Sequence, residues 1–189
     1  MNIGIDIDGV LLDTENYFRA YGELYDIDNF NKGVPYPEKL RMQERMGWTI
    51  EIFEKFVTDC MYDIMREAPL MPCVKEVLSR LRQMGHKLIV ISARGSFTEV
   101  EKDIALDRFR KDRLEFDKIC FTQNKLPACI ENNIDVMIDD SAINVVPLSE
   151  GGVKCLYLRE KFMPAIDNEN VIEVDNWGEI FRYIVNINK

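Results

Sequence analysis

The sequence predicts an α/β fold, a doubly wound parallel sheet with a small helical insertion after its first strand. Three observations carry this prediction. From about residue 70 onward, short apolar runs alternate with amphipathic stretches, the pattern of strands joined by helices. The chain opens on another such run, built on Ile3, Ile5 and Ile7. Between the two, residues 14 to about 69 hold no convincing buried strand. The expected division is therefore a core of residues 1–13 and 70–189 and a helical segment of residues 14–69.

Taken in order, the first strand ends in Asp6-Ile7-Asp8-Gly9. Alternate residues of a strand face the same way, which would bring the two carboxylates together where strand gives way to turn. Asp13 is placed to cap the helix that follows. Tyr17, Phe18, Tyr21, Leu24 and Tyr25 fall at helical spacing, as do Phe53, Phe56, Val57, Cys60, Met61 and Ile64. Asp26 to Pro37 reads as loop. Pro72 opens a helix with Val74, Val77, Leu78, Leu81 and Met84 on one face, and Gly85 ends it. Lys87 to Ser92 is nearly continuously apolar, as buried parallel strands are. Ser96 and Glu99 match a capping box for a helix to about Lys111. Further strands are expected at Lys118–Phe121, Ile134–Ile138, Val153–Leu158 and Val171–Val174, with a last helix from about Trp177.

Composition narrows the function. The net charge of −9 repels a nucleic-acid backbone, which argues against duplex binding. No apolar run reaches the length of a membrane span, and the chain starts on a strand instead of a leader, so a cytoplasmic protein is expected. The five cysteines show no C-x-x-C pair and lie among apolar residues, as buried free thiols would. The single histidine, His86, is expected at a helix-to-strand turn, which argues against His-dependent nucleophiles and zinc sites.

Four features fall at the carboxyl ends of predicted strands: Asp6 with Asp8, then Ser92 in Ile-Ser-Ala-Arg-Gly, then Lys125, then Asp139 with Asp140. Each has an ordinary explanation alone. Solvated aspartates can end a strand, a serine can cap a helix, a lysine can sit at the surface, and an Asp pair can make a turn and a cap. In a doubly wound sheet, however, those ends converge on one crevice. Clustered carboxylates suit Mg²⁺, which takes oxygen ligands and accompanies phosphate substrates. A lysine and a metal neutralise phosphate charge, a hydroxyl and neighbouring amides hold phosphate oxygens, and an aspartate can attack phosphorus. The chemistry indicated is phosphoryl transfer.

These residues resemble the haloacid dehalogenase-like phosphohydrolase superfamily. Asp6-Ile7-Asp8-Gly9-Val10 matches its first motif, and Ser92, Lys125 and Asp139-Asp140 match the second, third and fourth in order. The resemblance implies Asp6 as nucleophile and Asp8 as general acid and later base, lending a backbone carbonyl to Mg²⁺. It implies Ser92, with Ala93 and Arg94 beside it, and Lys125 at the phosphate. It implies Asp6, Asp8 and Asp140, with Asp139 adjacent, as the metal site, Asp140 being favoured as the direct ligand. Residues 14–69 then look like the superfamily's helical cap.

Within it, Ile138-Asp139-Asp140 and the late Asp175-Asn176-Trp177-Gly178-Glu179-Ile180 are similar to the 5'(3')-deoxyribonucleotidases and their bacterial relatives. This implies a nucleoside monophosphate substrate. Two departures stand out: Thr14 takes the place of an aromatic, and Ala93 that of a second hydroxyl, for which Arg94 can partly compensate. Asp8 to Thr14 also looks like the phosphatases and phosphomutases related to β-phosphoglucomutase, so a sugar phosphate is the alternative substrate. A catalytically silent binding protein on the same fold is the alternative of another class. Most cap aromatics are expected to form the cap's own core, with Trp48, beside Gly47, the one expected to face substrate.

Overall fold

The computed structural model describes residues 1–96, 98–159 and 163–187. The chain divides into two compact units, Met1–Leu12 with Leu70–Lys189, and Asp13–Pro69.

The larger unit is a six-stranded, wholly parallel sheet flanked by helices. Its strands are β1 (Asn2–Ile5), β2 (Lys87–Ser92), β3 (Lys118–Phe121), β4 (Val136–Asp139), β5 (Lys154–Leu158) and β6 (Val171–Val174). They lie in the order β3-β2-β1-β4-β5-β6. The order reverses beside β1, whose Ile3, Gly4 and Ile5 pair with Leu88, Ile89 and Val90 on one side and Val136, Met137 and Ile138 on the other. Central strands buried on both faces explain the unbroken Val/Ile/Leu runs. Ile3, Ile5, Leu88, Val90, Ile91, Met137 and Ile138 are all inaccessible to solvent. Gly4 is closely packed: a Cβ there would stand 2.6 Å from the Met137 sulfur, which would have to move.

The smaller unit holds three helices, α1 (Thr14–Asn29), α2 (Met42–Met46) and α3 (Ile50–Glu67). Phe56 and Ile64 of α3 pack with Met42, Met46 and Trp48 into a core of their own, edged by Tyr17, Phe18, Tyr21 and Tyr25. Trp48 is therefore not free to meet a substrate. It is 7% exposed, with its ring 5.3 Å from that of Phe56 and 5.7 Å from that of Tyr25. Helix α1 also runs further than expected. The loop begins only at Phe30, where the Asp26 carboxylate accepts from the Lys32 and Gly33 amides and folds the chain back.

The larger unit's helices are α4 (Val74–Gln83), α5 (Glu99–Asp112), α6 (Lys125–Glu131), α7 (Ala142–Glu150) and α8 (Trp177–Ile187). Helix α5 does not use the Ser96–Glu99 box. Thr98 occupies the cap position, the Ser96 amide closes a turn on the Ala93 carbonyl, and Glu101 reaches back to the Gly95 amide at 2.7 Å. His86 lies between α4 and β2, and the cysteines are free thiols, of which Cys73 is exposed and Cys129 and Cys155 are buried. Among the described residues no helix is long and apolar enough to cross a membrane.

Candidate active site

Strand β1 ends at Ile5, one residue before the first aspartate. The Asp6 amide still donates to the Ile138 carbonyl of β4, and then the chain coils. The Leu11 and Leu12 amides both donate to the Ile7 carbonyl, and the Gly9 amide donates to Leu12. The apolar run Val10-Leu11-Leu12 is fully buried in this turn instead of extending the strand. The Trp177 indole of α8 donates to the Val10 carbonyl at 2.8 Å and pins the turn from outside. Asp6 and Asp8 are thus not strand residues on one face, as alternation had them. They point to different partners, Asp6 to Lys125 and Asp8 to Arg94.

Gly9 turns with φ +70, and an added Cβ would stand 1.9 Å from Asp140 Oδ2. Only a glycine lets the Asp140 carboxylate lie against this backbone. The motif glycine therefore serves the other end of the site, brought beside it by the β1–β4 pairing.

Asp6, Asp139 and Asp140 each present a carboxylate oxygen within 4.8 Å of the others. Lys125, 4% exposed at the start of α6, places its ammonium 2.8 Å from Asp6 Oδ2 and 2.6 Å from Asp139 Oδ2. Asp139 is fully engaged. Its Oδ1 also accepts from the Ser141 amide at 2.9 Å and from Asn144 at 3.1 Å, and it has no exposure. Asp6 Oδ1, by contrast, is buried with no hydrogen-bond partner. Ser92 is buried at the end of β2, and its hydroxyl oxygen accepts from the Arg94 amide at 3.3 Å, which leaves its proton to give. Arg94 sends Nε to Asp8 Oδ2 at 2.8 Å and Nη2 to Asp8 Oδ1 at 2.5 Å. Ala93 contributes backbone alone. The geometry thus gathers Asp6, Lys125, Asp139 and Asp140 at one point and ties Asp8 and Arg94 together. Asn144, Glu101 and the indole role of Trp177 had no signal in the sequence motifs.

The electrostatics follow from this packing. Burial, then the Asp139 charge, raise the Asp6 carboxyl to about 7 from its ordinary 3.8, although Lys125 pulls the other way. Burial and the charges of Asp6, Asp139 and Asp8 raise Asp140 well above its ordinary value. Burial opposes the charge of Lys125, but Asp6 and Asp139 outweigh it and hold its pKa above the usual value. Four carboxylates thus share two cations, Lys125 and Arg94. Together the unpaired Asp6 oxygen, the all-oxygen donor set and a deficit of two positive charges fit a hard divalent cation.

No protein-family model matches the chain. It is 24% identical to a nucleotidase of Clostridium acetobutylicum over 97% of its own length and 93% of the relative's. It superposes on a Thermotoga maritima protein provisionally named a beta-phosphoglucomutase with a TM-score of 0.63 and 19% identity, over 99% of this chain and 100% of that one. It also superposes on a HAD-superfamily hydrolase, subfamily IA, variant 1, of Geobacter sulfurreducens, with a TM-score of 0.57 and 15% identity over 96% and 98% of the two chains. With its six parallel strands, and its acidic cluster at the ends of β1 and β4, the chain has the fold of the haloacid dehalogenase-like superfamily.

Proposed function

We propose that this protein is a Mg²⁺-dependent phosphomonoesterase that hydrolyses nucleoside monophosphates. The observation that carries the reading is the bare Oδ1 of Asp6, buried beside Lys125 and within reach of Asp139 and Asp140. A carboxylate anchored through one oxygen, with the other making no hydrogen bond, has that second oxygen to offer as nucleophile.

In this reading Asp6 Oδ1 attacks phosphorus and the bond to the leaving oxygen breaks, with Asp8, entering in its protonated form, giving that oxygen its proton. Water then attacks the aspartyl-phosphate, Asp8 takes the water's proton, and the Asp6–phosphorus bond breaks to free phosphate. Lys125 neutralises charge on Asp6 and on the phosphate oxygens. The Ser92 hydroxyl donates to phosphate. Asp6, Asp140 and the Asp8 backbone carbonyl would hold Mg²⁺, which when bound supplies the positive charge that the four carboxylates lack. Asp139 is the less suitable direct ligand, because Lys125, Ser141 and Asn144 already occupy its oxygens. Similarity along nearly the full chain to a protein named a nucleotidase supports the nucleoside monophosphate.

Phosphate release with Mg²⁺, measured across ribo- and deoxyribonucleoside monophosphates and hexose phosphates, tests this. Turnover confined to nucleotides and lost in Asp6→Asn is the expected result. A preference for hexose phosphates keeps the chemistry and replaces the substrate. No turnover of any ester overturns the reading.

A further inference from the structure

We infer that Arg94 is a positioning residue for Asp8, not a phosphate ligand: its guanidinium fork fixes the carboxylate that moves the proton. The inference rests on the phosphohydrolase reading above and deepens it. Both Asp8 oxygens are engaged, one by Nε at 2.8 Å and the other by Nη2 at 2.5 Å. Two parallel bonds from a planar fork fix the direction of a carboxylate as well as its distance. A single ammonium can do only the second.

The burial of the two partners is asymmetric in a telling way. Arg94 is 3% exposed, whereas the Asp8 side chain keeps 39% of its surface open. The arginine is thus structural and the carboxylate accessible, as a proton-transfer group held from behind would be. The segment carrying Arg94 is itself anchored on both sides. Its own amide donates to the Ser92 hydroxyl oxygen, and the Gly95 amide donates to Glu101, itself only 9% exposed. On the other side, the turn carrying Asp8 is closed by its own amides and pinned by Trp177. The pair therefore joins two fixed segments 86 residues apart, the turn after β1 and the loop after β2.

A phosphate contact through Nε or Nη2 would have to displace a two-point ion pair that is buried on the arginine side. Nη1 is the remaining nitrogen, buried with no hydrogen-bond partner. It is the atom through which a phosphate contact would operate, so the experiment must separate the two roles.

The test compares the full chain with Arg94→Lys and Arg94→Gln in Mg²⁺. It reads kcat and KM on the best ester and on p-nitrophenyl phosphate, the calorimetric affinity for inorganic phosphate, and thermal unfolding. A positioning role lowers kcat by about 10- to 100-fold. KM and phosphate affinity stay within about twofold. Lys, which restores charge but not the fork, recovers little of the loss. Adding Arg94→Lys to Asp8→Asn then costs less than about threefold more, because the two act as one unit. If Arg94→Gln fails to fold, Arg94→Lys, which keeps the buried charge, carries the test. Phosphate affinity and KM weakened about tenfold with kcat unchanged would overturn the inference in favour of a phosphate ligand. Full recovery of kcat by Lys would overturn it too, as would unchanged kinetics in both variants. If the unaltered protein hydrolyses no ester, the parent reading falls and this one with it. Turnover by the unaltered protein with an indifferent Arg94 sinks this inference alone.

Discussion

Lys125 binds Asp6 through Oδ2 alone, at 2.8 Å, and leaves Oδ1 buried without a hydrogen-bond partner. One oxygen is thereby anchored and the other free. The anchor is shared, since the same ammonium stands 2.6 Å from Asp139. A single side chain ties the end of β1 to the end of β4.

Replacing Asp6 by asparagine keeps the shape and removes the nucleophile. Phosphate release should fall by roughly three orders of magnitude or more, as for other lost nucleophiles. The fold should survive, because one charge leaves a crowded carboxylate cluster. Metal-free thermal unfolding at neutral pH should occur at the same temperature or higher. Undiminished Mg²⁺-dependent turnover would remove Asp6 from its assigned role.

Lys125→Met leaves Asp6 and Asp139 buried without their shared cation. Breaking a buried pair from one side costs about 3–5 kcal/mol. Urea unfolding should show a loss of that order in the metal-free protein, together with lost activity. A loss below about 1 kcal/mol, the range of exposed ion pairs, would mean that Lys125 is more solvated than its 4% exposure implies.

Asp139 and Asp140 should separate cleanly. Asp140→Asn should abolish the rise in unfolding temperature caused by Mg²⁺ while leaving the metal-free protein at least as stable as before. Asp139→Asn should lower metal-free stability, because it weakens the contacts from Lys125, Ser141 and Asn144. The reverse pattern would exchange their roles. Gly9→Ala should mimic Asp140→Asn at a further cost in stability, since its Cβ would displace the Asp140 carboxylate from a backbone already at φ +70.

The pH dependence of stability carries an unusual sign. Asp6 is raised to about 7, so its proton is held more tightly in the folded chain than in the unfolded one. Its favourable contribution is complete below about pH 4 and is lost as the pH rises through 7. Asp140 shifts in the same direction. In EDTA, the stability of the unaltered protein relative to Asp6→Asn should therefore fall between pH 4 and 7, and Mg²⁺ should reduce the fall. A relative stability that rises across that window would contradict the crowding of these carboxylates.

The sheet was legible because its central strands are buried on both faces and read as unbroken apolar runs. The strand ends then pointed to Asp6, Lys125 and Asp139-Asp140, which the structure brings to one point. Local detail was harder. Val10-Leu11-Leu12 has the composition of a strand but is buried as a turn, so alternation failed one residue past Ile5. The Asp8–Arg94 pair spans 86 residues, and no local pattern encodes it. Ser96 and Glu99 satisfy a capping motif that the chain passes over, because Glu101 is used to hold Gly95. Trp48 followed the weaker of two signals. Its place beside Gly47 marked a turn, but a large apolar ring near Tyr25 and Phe56 gains more from burial.

The position of β1 in the sheet also bears on how the chain matures during synthesis. It is flanked on both sides by strands that come later, β2 at residues 87–92 and β4 at residues 136–139, and residues 13–69 delay even the first of these. At about 5–20 residues per second, β1 waits roughly 4–17 s for β2 and about 7–27 s for β4. Until β2 is made an apolar strand has both edges open, and until β4 is made one, the condition under which nascent chains mispair or recruit chaperones. Lengthening the segment between Leu12 and Leu70 should therefore lower soluble yield more than the same insertion placed after β4, a cost borne by the ribosome-bound chain.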